Sequence, residues 1–579
     1  MATKTPNKNQ RQTQARLRII IMAAILICVN VLASYFHTGL DLTHEKRFTL
    51  SPATVKLLRN MPEVAVIDVY LKGKFPAELQ RLQEAVREQL RSFKDVAGNK
   101  IIFRFIDPLE GKTEKEKKQI AHDLDAKGIR LLQLKDQDEE GYSMKVFVPY
   151  ALVHYNGKEA AIMLLENPPG KSQAEKISYA EAALEYKFAS AINQLNRPTK
   201  ARLAYIIGNG EALGIKTIDL LTTLPKYYDV DTVDLSHTLA ISGAYDAALI
   251  IQPTIPFTGP DKLKIDQYVM RGGRLLWNIN TLNASLDSLV NSPQFIAMEY
   301  GLNLDDILFK YGVRVNNDLI EDMQNIPLPR TSNGGAPELL PWVYFPKLNP
   351  TAEHPIVQNM DFVMSGFTNS IDTLKGGGIE KTVLLQSSKY SRTATAPVRV
   401  SLSMMNYPLK NEMFNKPYKP VAVLLEGRFH SVYQNLLAPE YLRLLDSLKE
   451  PFKPVCDTPN KMIVISAGEI FSNGYTAKDG VLPVGYYQYT GEFFANRNFL
   501  LNCLEYLTDA STVLEARSKE VKLRLLDNGR AHDEKTTWQV VNVGIPIALV
   551  LVFASIYFFA RKRRYEVKQA TPKTSSENA

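Results

Sequence analysis

The chain has 579 residues, a formal net charge of +8 and three cysteines. Three cysteines are too few for a disulfide framework in a chain of this length. The eight histidines are scattered and form no H-x-x-x-H or Cys/His cluster, so we expect no metal and no cofactor. Much of the excess positive charge lies in the terminal tails, which indicates contact with anionic lipid headgroups and excludes a nucleic-acid partner.

The N-terminus predicts a membrane anchor. Residues 1–16 form a basic tail without acidic residues, and residues 17–36 are predominantly apolar. A cleaved signal peptide would have a shorter apolar region and a better cleavage site, so we predict an uncleaved transmembrane helix over 17–36. Asn30 is costly in hydrocarbon. Asn30 and Asn542 therefore lie near the interface, contact each other, or contact a helix of another membrane protein.

Residues 45–166 predict a small α/β domain. Ser51 and Pro52 are a typical helix start, and the β-branched run 64–71 predicts a buried strand. A helix over 76–96 follows from apolar residues at helical spacing, namely Leu79, Leu82, Val86, Leu90 and Phe93. The remaining elements are a helix at 112–127 and strands at 101–106, 129–134, 143–155 and 158–165. This βαβα order followed by antiparallel strands predicts a thioredoxin-like domain, and its lack of cysteine excludes thiol–disulfide chemistry.

Residues 167–197 are predicted to form a linker and a helix that bridges two domains. The linker sequence PPGKS, residues 168–172, superficially resembles a phosphate-binding loop. The motif needs a glycine where Leu165 stands, and two prolines remove N–H groups that would bind phosphate. We therefore predict no nucleotide site in this segment.

Residues 198–510 predict a doubly wound α/β domain with insertions after residue 285. Strands and helices alternate, with strands at 201–207, 228–235, 247–252 and 274–278 and helices at 217–224 and 258–271, which is typical of a parallel sheet. Ligands bind such sheets beyond the carboxyl ends of the strands. The candidate ligand rim at this edge consists of Gly208, Asn209, Gly210, Glu211, Asn278 and Asn280.

The loop 208–211 is the best catalytic candidate, yet it lacks the residues that catalysis needs. A nucleophile elbow requires serine or cysteine where Asn209 or Gly210 stands. Glu211 could bind a cation or a sugar hydroxyl, but no partner carboxylate lies at short spacing. The alternative is a tight turn that places Glu211 near a helix N-terminus. We predict no catalytic residue and no enzyme. Whether Cys456 and Cys503 pair stays open.

The C-terminus predicts a second anchor. Residues 511–539 form a charged juxtamembrane segment, with Trp538 where interfacial aromatic residues are favoured. Residues 540–560 carry no charge, and a helix of this length spans the roughly 30 Å of bilayer hydrocarbon. The basic tail 561–579 begins with Arg561, Lys562, Arg563 and Arg564. The positive-inside rule places both tails in the cytoplasm and the region between the spans in the periplasm, outside a bacterial inner membrane.

Several segments together resemble the gliding-motility-associated ABC transporter auxiliary proteins of Bacteroidota, the GldG type. They are DLTHEKRFTLSPATVKLL after the first span, YAEAALEYKFASAINQL, the IIGNGEA loop, DKLKIDQYVMRGGRLLWNIN, and RSKEVKLRLLDNGRAHDEKTTWQVVNVGIPI with RKRRYEVK after the second span. Asn209 stands where relatives often carry histidine in a G-H-G-E loop, which further argues against catalysis by this loop.

The resemblance implies a non-ATPase auxiliary subunit of an ABC-2-type transporter that contacts a polytopic permease and, through it, a cytoplasmic ATPase. It also implies that the doubly wound domain is glutamine-amidotransferase-like without the cysteine nucleophile. The alternative function is a periplasmic ligand-binding or degenerate hydrolase-like module that recognises a glycan or a peptide at the loop 208–211.

Overall fold

The computed structural model describes residues 17, 19–28, 49–166, 172–518 and 534–565, with short gaps at 74, 130, 139–140, 291, 331–337, 352–353, 407–408, 510–512 and several positions within 435–450. The chain divides into two compact units, Met1–Val521 and Lys522–Ala579. The fold is mixed α/β, as the sequence predicts. Asn30 and the PPGKS linker up to residue 171 lie outside the described residues.

The first part of the larger unit contains a small mixed sheet. Its strands are β1 (Ala65–Val69), β2 (Ile101–Phe105), β5 (Tyr150–Tyr155) and β6 (Lys158–Met163), and β3 (Leu132–Asp138) and β4 (Gly141–Phe147) form a separate hairpin. The order is β2-β1-β5-β6, with β1 and β2 parallel and the other pairs antiparallel. The predicted βαβα order followed by antiparallel strands is confirmed, and the thioredoxin-like assignment stays a prediction.

The single strand predicted over 143–155 is wrong, because the structure has two strands there. β4 ends at Phe147 and β5 begins at Tyr150. Pro149 between them has no backbone N–H to donate to a sheet ladder, and the Tyr150 N–H donates to Val148 O over 2.9 Å in a tight turn.

Helices cover this sheet. They are α2 (Pro52–Arg59), α3 (Ala77–Ala97), α4 (Glu114–Ala126) and α5 (Gln173–Asn196), and a short apolar helix, α1 (Ile19–Cys28), precedes them. All five residues predicted to line the buried face of α3 are buried, which confirms that face. Helix α5 begins with a capping box, in which Ser172 Oγ accepts from Glu175 N and Glu175 Oε2 accepts from Ser172 N. Leu184 and Phe188 of α5 belong to the same apolar core as α3.

The second part contains a sheet of nine strands. They are β7 (Arg202–Ile207), β8 (Asp229–Asp234), β9 (Ala247–Ile251), β10 (Arg274–Asn278), β16 (Lys347–Pro350), β17 (Val363–Met364), β19 (Ile379–Gln386), β22 (Pro420–Gly427) and β23 (Asn460–Ile465), in the order β17-β16-β19-β22-β23-β10-β9-β7-β8. The half from β23 to β8 is parallel, as the alternation predicts. The other half is antiparallel and was not predicted.

Both faces of the parallel half are covered. Helices α6 (Ile218–Tyr227) and α9 (Asn496–Thr508) contribute Leu220 and Phe499 to the core on one face. Helices α7 (Gly259–Met270) and α8 (Asp305–Tyr311) contribute to the core on the other face, where the Trp277 and Phe257 rings meet edge to face at 6.1 Å. Helices on two faces of a parallel sheet are the doubly wound arrangement that the sequence predicts.

The insertions after residue 285 form short strands, several of which contribute to a further core. The strands are β11 (Gln294–Ala297), β12 (Val313–Val315), β13 (Asp318–Asp322), β14 (Leu328–Arg330), β15 (Glu338–Leu340), β18 (Ile371–Thr373), β20 (Ser391–Thr395), β21 (Val398–Ser401), β24 (Tyr475–Thr476), β25 (Gly480–Val481), β26 (Tyr486–Tyr487) and β27 (Glu492–Phe493). Trp342, Tyr344 and Phe367 lie in this core. The buried Asp318 carboxylate accepts hydrogen bonds from Ser370 N and Ser370 Oγ.

The segment Val513–Ser518, which we call the clamp segment, contributes to two apolar cores. It is a 3-10 helix in which Val513 and Leu514 are 1 % and 4 % exposed. Val513 belongs to the core of α3 and α5, and Leu514 belongs to the core beneath α6 and α9. The folded body therefore extends beyond residue 510, the predicted end of the second domain. Residues 519–533 of the predicted juxtamembrane segment lie outside the described residues.

Cys456 and Cys503 are buried free thiols, whereas Cys28 of α1 is an exposed one. Cys503 lies in the core beneath α6 and α9, and Cys456 lies in the core beneath α7 and α8. The nine-stranded sheet separates these two cores. The structure therefore decides the pairing that the sequence left open, because the two thiols form no disulfide.

The smaller unit contains helix α10 (Lys535–Tyr565), which includes the predicted span 540–560. Within the described residues it is the one helix that is long and apolar enough to cross a membrane. Of the predicted first span, α1 is described and residues 29–36 are not. The two-span topology therefore stays a prediction.

We predict that Phe188→Ala destabilises the protein by about 3–5 kcal/mol, because the Phe188 side chain is fully buried and meets Phe93 edge to face at 6.3 Å. Phe309→Ala is the matched control, since Phe309 is exposed, and it should change stability by less than about 0.5 kcal/mol. Thermal unfolding of the detergent-solubilised chain measures both. Equal effects of the two substitutions would contradict the described core.

Candidate functional site

The candidate site lies at the carboxyl edge of the parallel strands. Strands β7, β9 and β10 end at Ile207, Ile251 and Asn278, and they lie side by side with β9 in the middle. Their parallel direction brings the loops that follow them to one edge of the sheet. The candidate rim residues therefore lie where ligands bind in sheets of this kind.

The loop after β7 has a conformation that only glycine adopts easily at two positions. Gly208 and Gly210 have φ values of 122° and 74°. A Cβ atom on Gly210 would lie 2.3 Å from Thr254 Oγ1, so the position has no space for a side chain. Asn209 O accepts hydrogen bonds from Thr254 N at 3.0 Å and Ile255 N at 2.9 Å, which join this loop to the loop after β9.

Glu211 closes the loop and is only 7 % exposed. Its Oε2 accepts a hydrogen bond from Asn209 N over 2.7 Å, whereas its Oε1 is buried and has no hydrogen-bond partner among the described residues. Burial raises the pKa of the Glu211 carboxyl, hydrogen bonds from backbone N–H groups oppose the rise, and the negative charges of Asp234 and Asp261 add to it.

Asn209 also has an unpartnered oxygen. Its side-chain Nδ2 donates to Pro256 O over 3.3 Å, which fixes the orientation of the amide. Its Oδ1 is buried and accepts no hydrogen bond within the described part of the chain. Asn209 and Glu211 therefore form one local group with two buried oxygens that lack hydrogen-bond partners among the described residues.

The residues after β10 form a second group around Gly468. Asn278 Nδ2 donates to Gly468 O over 3.2 Å, and a Cβ atom on Gly468 would lie 2.9 Å from Asn280 Nδ2. Asn278 and Asn280 are nine-tenths or more buried, and the Oδ1 of each lacks a hydrogen-bond partner among the residues described. The structure thus brings the six predicted rim residues to one edge, as two groups on either side of β9.

Gln252, Thr254 and Gly468 belong to this edge and were not predicted. Gln252 Nε2 donates to Gly468 O, and Gln252 has a positive φ of 52°. The sequence KMIVISA, residues 461–467, favours a strand. Its place beside β10 would have identified Gly468, but that pairing joins residues 187 positions apart and leaves no local signal.

The described residues contain no group of three or more His, Cys, Asp and Glu side chains that could hold a metal ion. The edge offers carboxylate, amide and main-chain oxygens, which accept hydrogen bonds from a ligand or attract a cation. Arg561, Lys562, Arg563 and Arg564 follow the apolar stretch of α10, and Trp538 near its start donates from Nε1 to Glu534 Oε2 over 3.0 Å.

A family model described as an ABC-type uncharacterized transport system matches residues 200–503, which include the nine-stranded sheet and its carboxyl edge. The chain belongs to this family. The match confirms the resemblance to an ABC transporter auxiliary protein, and the transport family together with α10 indicates membrane association. A second model, described as a domain of unknown function, matches residues 44–154.

Other comparisons add little to the ABC-type transport family assignment. No curated protein matches the chain. The mmIFT52 N-terminal domain is 13 % identical over 54 % of this chain and 98 % of its own length, with a TM-score of 0.30. A ThuA-like protein from Parabacteroides merdae is 11 % identical over 54 % of this chain and 90 % of its own, with a TM-score of 0.25. Scores this low support no conclusion about fold or function.

We predict that Glu211→Gln stabilises the folded protein at pH 8. The raised pKa of Glu211 means that the unfolded chain ionises this group more readily, so wild-type stability falls as pH rises above the ordinary value near 4.5. The glutamine variant lacks this fall. Its advantage in thermal midpoint should grow with pH by about 2–4 °C for each kcal/mol gained.

Thermal scans of both proteins between pH 4 and pH 8 measure the difference. Glu299→Gln is the control, since Glu299 is an exposed carboxylate that follows β11. A Glu211→Gln advantage that is the same at every pH would contradict the burial of an ionisable Glu211.

Proposed function

We propose that the chain is a membrane-anchored periplasmic auxiliary subunit of an ABC-2-type transporter that serves gliding motility in a member of the Bacteroidota. In this proposal the two spans, 17–36 and 540–560, pack on the permease, both termini are cytoplasmic, and the permease joins the chain to a cytoplasmic ATPase. The domain at 45–166 is thioredoxin-like and the domain at 198–510 is glutamine-amidotransferase-like. Membership of an ABC-type transport family and the apolar helix α10 support the proposal.

The packing of the clamp segment is the observation that supports the mechanism we propose for this subunit. This segment places Val513 in the core of α3 and α5 and Leu514 in the core beneath α6 and α9, and in the sequence residues 519–533 join it to α10. Removing either Val513 or Leu514 from its core would expose apolar surface at a cost of about 1.5–3 kcal/mol for a fully buried side chain. A displacement of the clamp segment therefore changes the packing of both cores together.

Next to the clamp segment, polar contacts join α5 and Arg197 to α9 and Asp509. Glu505 of α9 is buried and accepts hydrogen bonds from Tyr186 Oη at 2.5 Å and Ser190 Oγ at 3.0 Å, both on α5. Asp509 accepts from Asn193 Nδ2 and pairs with Arg197 at 2.6 Å. Buried carboxylates hold their positions through such hydrogen bonds, since their desolvation is costly when a partner is lost.

In the proposed mechanism, ATP-driven movement of the permease displaces α10, and residues 515–538 transmit the movement to Val513 and Leu514. The chain binds partner proteins and carries out no reaction. This assignment agrees with Asn209 and Gly210 in the place of a nucleophile and with the auxiliary character of the family.

A second candidate function is recognition of a glycan or a peptide at the carboxyl edge. The observation that favours it is the set of buried, unpartnered oxygens on Asn209, Glu211, Asn278 and Asn280. Buried acceptors without partners are rare in folded proteins, and a bound ligand would supply the missing donors.

Replacement of the second predicted span, residues 540–560, tests the proposal. We predict that replacing residues 540–560 by an unrelated apolar helix of equal length keeps the chain in the membrane but abolishes co-purification of the permease and the ATPase, together with gliding. Mass spectrometry of affinity-purified membranes identifies the partners. Retained co-purification and normal gliding after the replacement would exclude the proposed contact.

Asn542 offers a finer test of the same contact. It is exposed on α10 and makes no hydrogen bond to a described residue, whereas Ser555 Oγ donates to Leu551 O of the same helix over 2.8 Å. Asn542→Leu should weaken association with the permease by about 1 kcal/mol, the usual contribution of an interhelical hydrogen bond in a membrane. Ser555→Ala should leave association unchanged. Quantitative co-purification measures both, and equal effects would assign no special role to Asn542.

A further inference from the structure

The carboxyl edge of the sheet is a binding surface for which the structure indicates the chemistry of the ligand. Asn209, Glu211, Asn278 and Asn280 are each more than nine-tenths buried, and each has a buried oxygen without a partner among the described residues. The amide groups of Asn209 and Asn278 are held in one orientation by donation to Pro256 O and Gly468 O. The edge therefore has buried acceptors that need hydrogen-bond donors from outside.

Glu211 adds a requirement for positive charge. Its carboxyl group is desolvated, and the charged groups that act on it, Asp234 and Asp261, are both acidic. A buried carboxylate beside like charges is stabilised when an opposite charge approaches it. A cationic donor would therefore satisfy both Glu211 Oε1 and the charge balance of this loop.

Lys216, on the 3-10 helix Ile215–Thr217 after the loop 208–211, and Lys262 and Lys264, on α7, are already engaged. Lys216 pairs with Asp287 at 2.5 Å, Lys262 pairs with Asp306 at 2.7 Å, and Lys264 donates to Leu235 O and pairs with Asp261. None of these pairs includes Glu211. The cation that Glu211 lacks in the described chain has to come from another molecule.

Exposed aliphatic side chains surround the Glu211 loop. Leu213 and Ile215 follow it in the chain, and Ile255 belongs to the adjoining loop after β9; they are 55 %, 49 % and 53 % exposed. A Cβ atom on Gly210 would lie 3.0 Å from Ile255 Cγ1, so Ile255 packs directly over this loop. Exposed apolar groups around a polar centre are typical of protein-binding surfaces.

We propose that the loop 208–211 binds a lysine or arginine side chain of a partner polypeptide in the transporter complex. The cationic group donates to Glu211 Oε1 and Asn209 Oδ1, and aliphatic side chains of the partner pack on Leu213, Ile215 and Ile255. Displacement of the half-exposed Ile255 side chain opens the loop to the incoming group. This inference rests on the proposed function, because it assigns the partner to the same complex.

A polypeptide fits the surface better than a glycan does. The exposed side chains next to the loop are branched aliphatics, which pack against other aliphatic side chains and offer no aromatic face to a sugar ring. A sugar hydroxyl would also leave the negative charge of Glu211 without a counter-charge. Binding of a glycan is therefore the alternative outcome of the test.

The test uses the full chain in its native membranes with a benzophenone amino acid in place of Ile255. Irradiation should attach a polypeptide, and mass spectrometry should locate the attachment within a few residues of a lysine or arginine. Glu211→Gln keeps the volume but turns one acceptor into a donor, so the yield should fall about tenfold or more. Glu299→Gln, which removes an exposed carboxylate from the segment after β11, should leave the yield unchanged.

Thermal unfolding of the Glu211→Gln protein shows whether it is folded, so that a loss of yield is not caused by misfolding. An unchanged yield in this variant, an attached glycan, an attachment remote from any cationic residue, or no attachment would each overturn the inference. Co-purification of the permease and the ATPase from the same membranes separates the two proposals. If these partners are present and the attachment fails, only this inference is wrong, and if they are absent the proposed function is wrong.

Discussion

The arrangement of the larger unit depends on helix α5, which packs in an apolar core and also donates hydrogen bonds to a buried carboxylate. Leu184, Phe188 and Ile192 are buried in the core of the first sheet. Tyr186 and Ser190, on the same helix, donate to the buried Glu505 of α9. Burial raises the pKa of Glu505, and the hydrogen bonds from Tyr186 and Ser190 oppose that rise. A shift of α5 would therefore disturb an apolar core and leave a buried carboxyl group without donors.

A second buried carboxylate, that of Glu211 at the carboxyl edge, has fewer hydrogen-bond donors. Glu505 has its donors, whereas Glu211 keeps one oxygen without a partner under similar burial. Unpartnered buried acceptors lower stability, and folded proteins keep them chiefly where a ligand or partner completes the hydrogen bonds. The contrast between these two glutamates separates a structural group from a candidate binding group, although both sit in the same unit.

The sequence was most informative about features that depend on residues close together in the chain. The spacing of Leu79, Leu82, Val86, Leu90 and Phe93 predicted the buried face of α3, because helical periodicity is read within one element. The alternation over 200–280 predicted four of the five parallel strands for the same reason. Short connections between neighbouring elements left few other topologies to consider.

The remaining features depend on contacts between residues far apart in the chain. Strand β22 pairs with β19 and β23 across long insertions, and no local pattern specifies those partners. Gly468 reaches Asn278 from 190 residues away, so the second half of the candidate rim was only partly visible. The clamp segment has a charged sequence that is typical of an exposed connector, and only its packing shows that Val513 and Leu514 are buried.

The two buried thiols, Cys456 and Cys503, are chemical probes of the two cores that the nine-stranded sheet separates. Burial raises the pKa of Cys456 to about 11 and that of Cys503 well above its usual range, so both remain protonated and unreactive while their cores are closed. They occupy opposite faces of one sheet, and Cys503 shares its core with Leu514 of the clamp segment. A thiol reagent applied during transport would therefore modify Cys503 whenever the clamp side opens and Cys456 only when the other face opens, which distinguishes the two movements within a single chain.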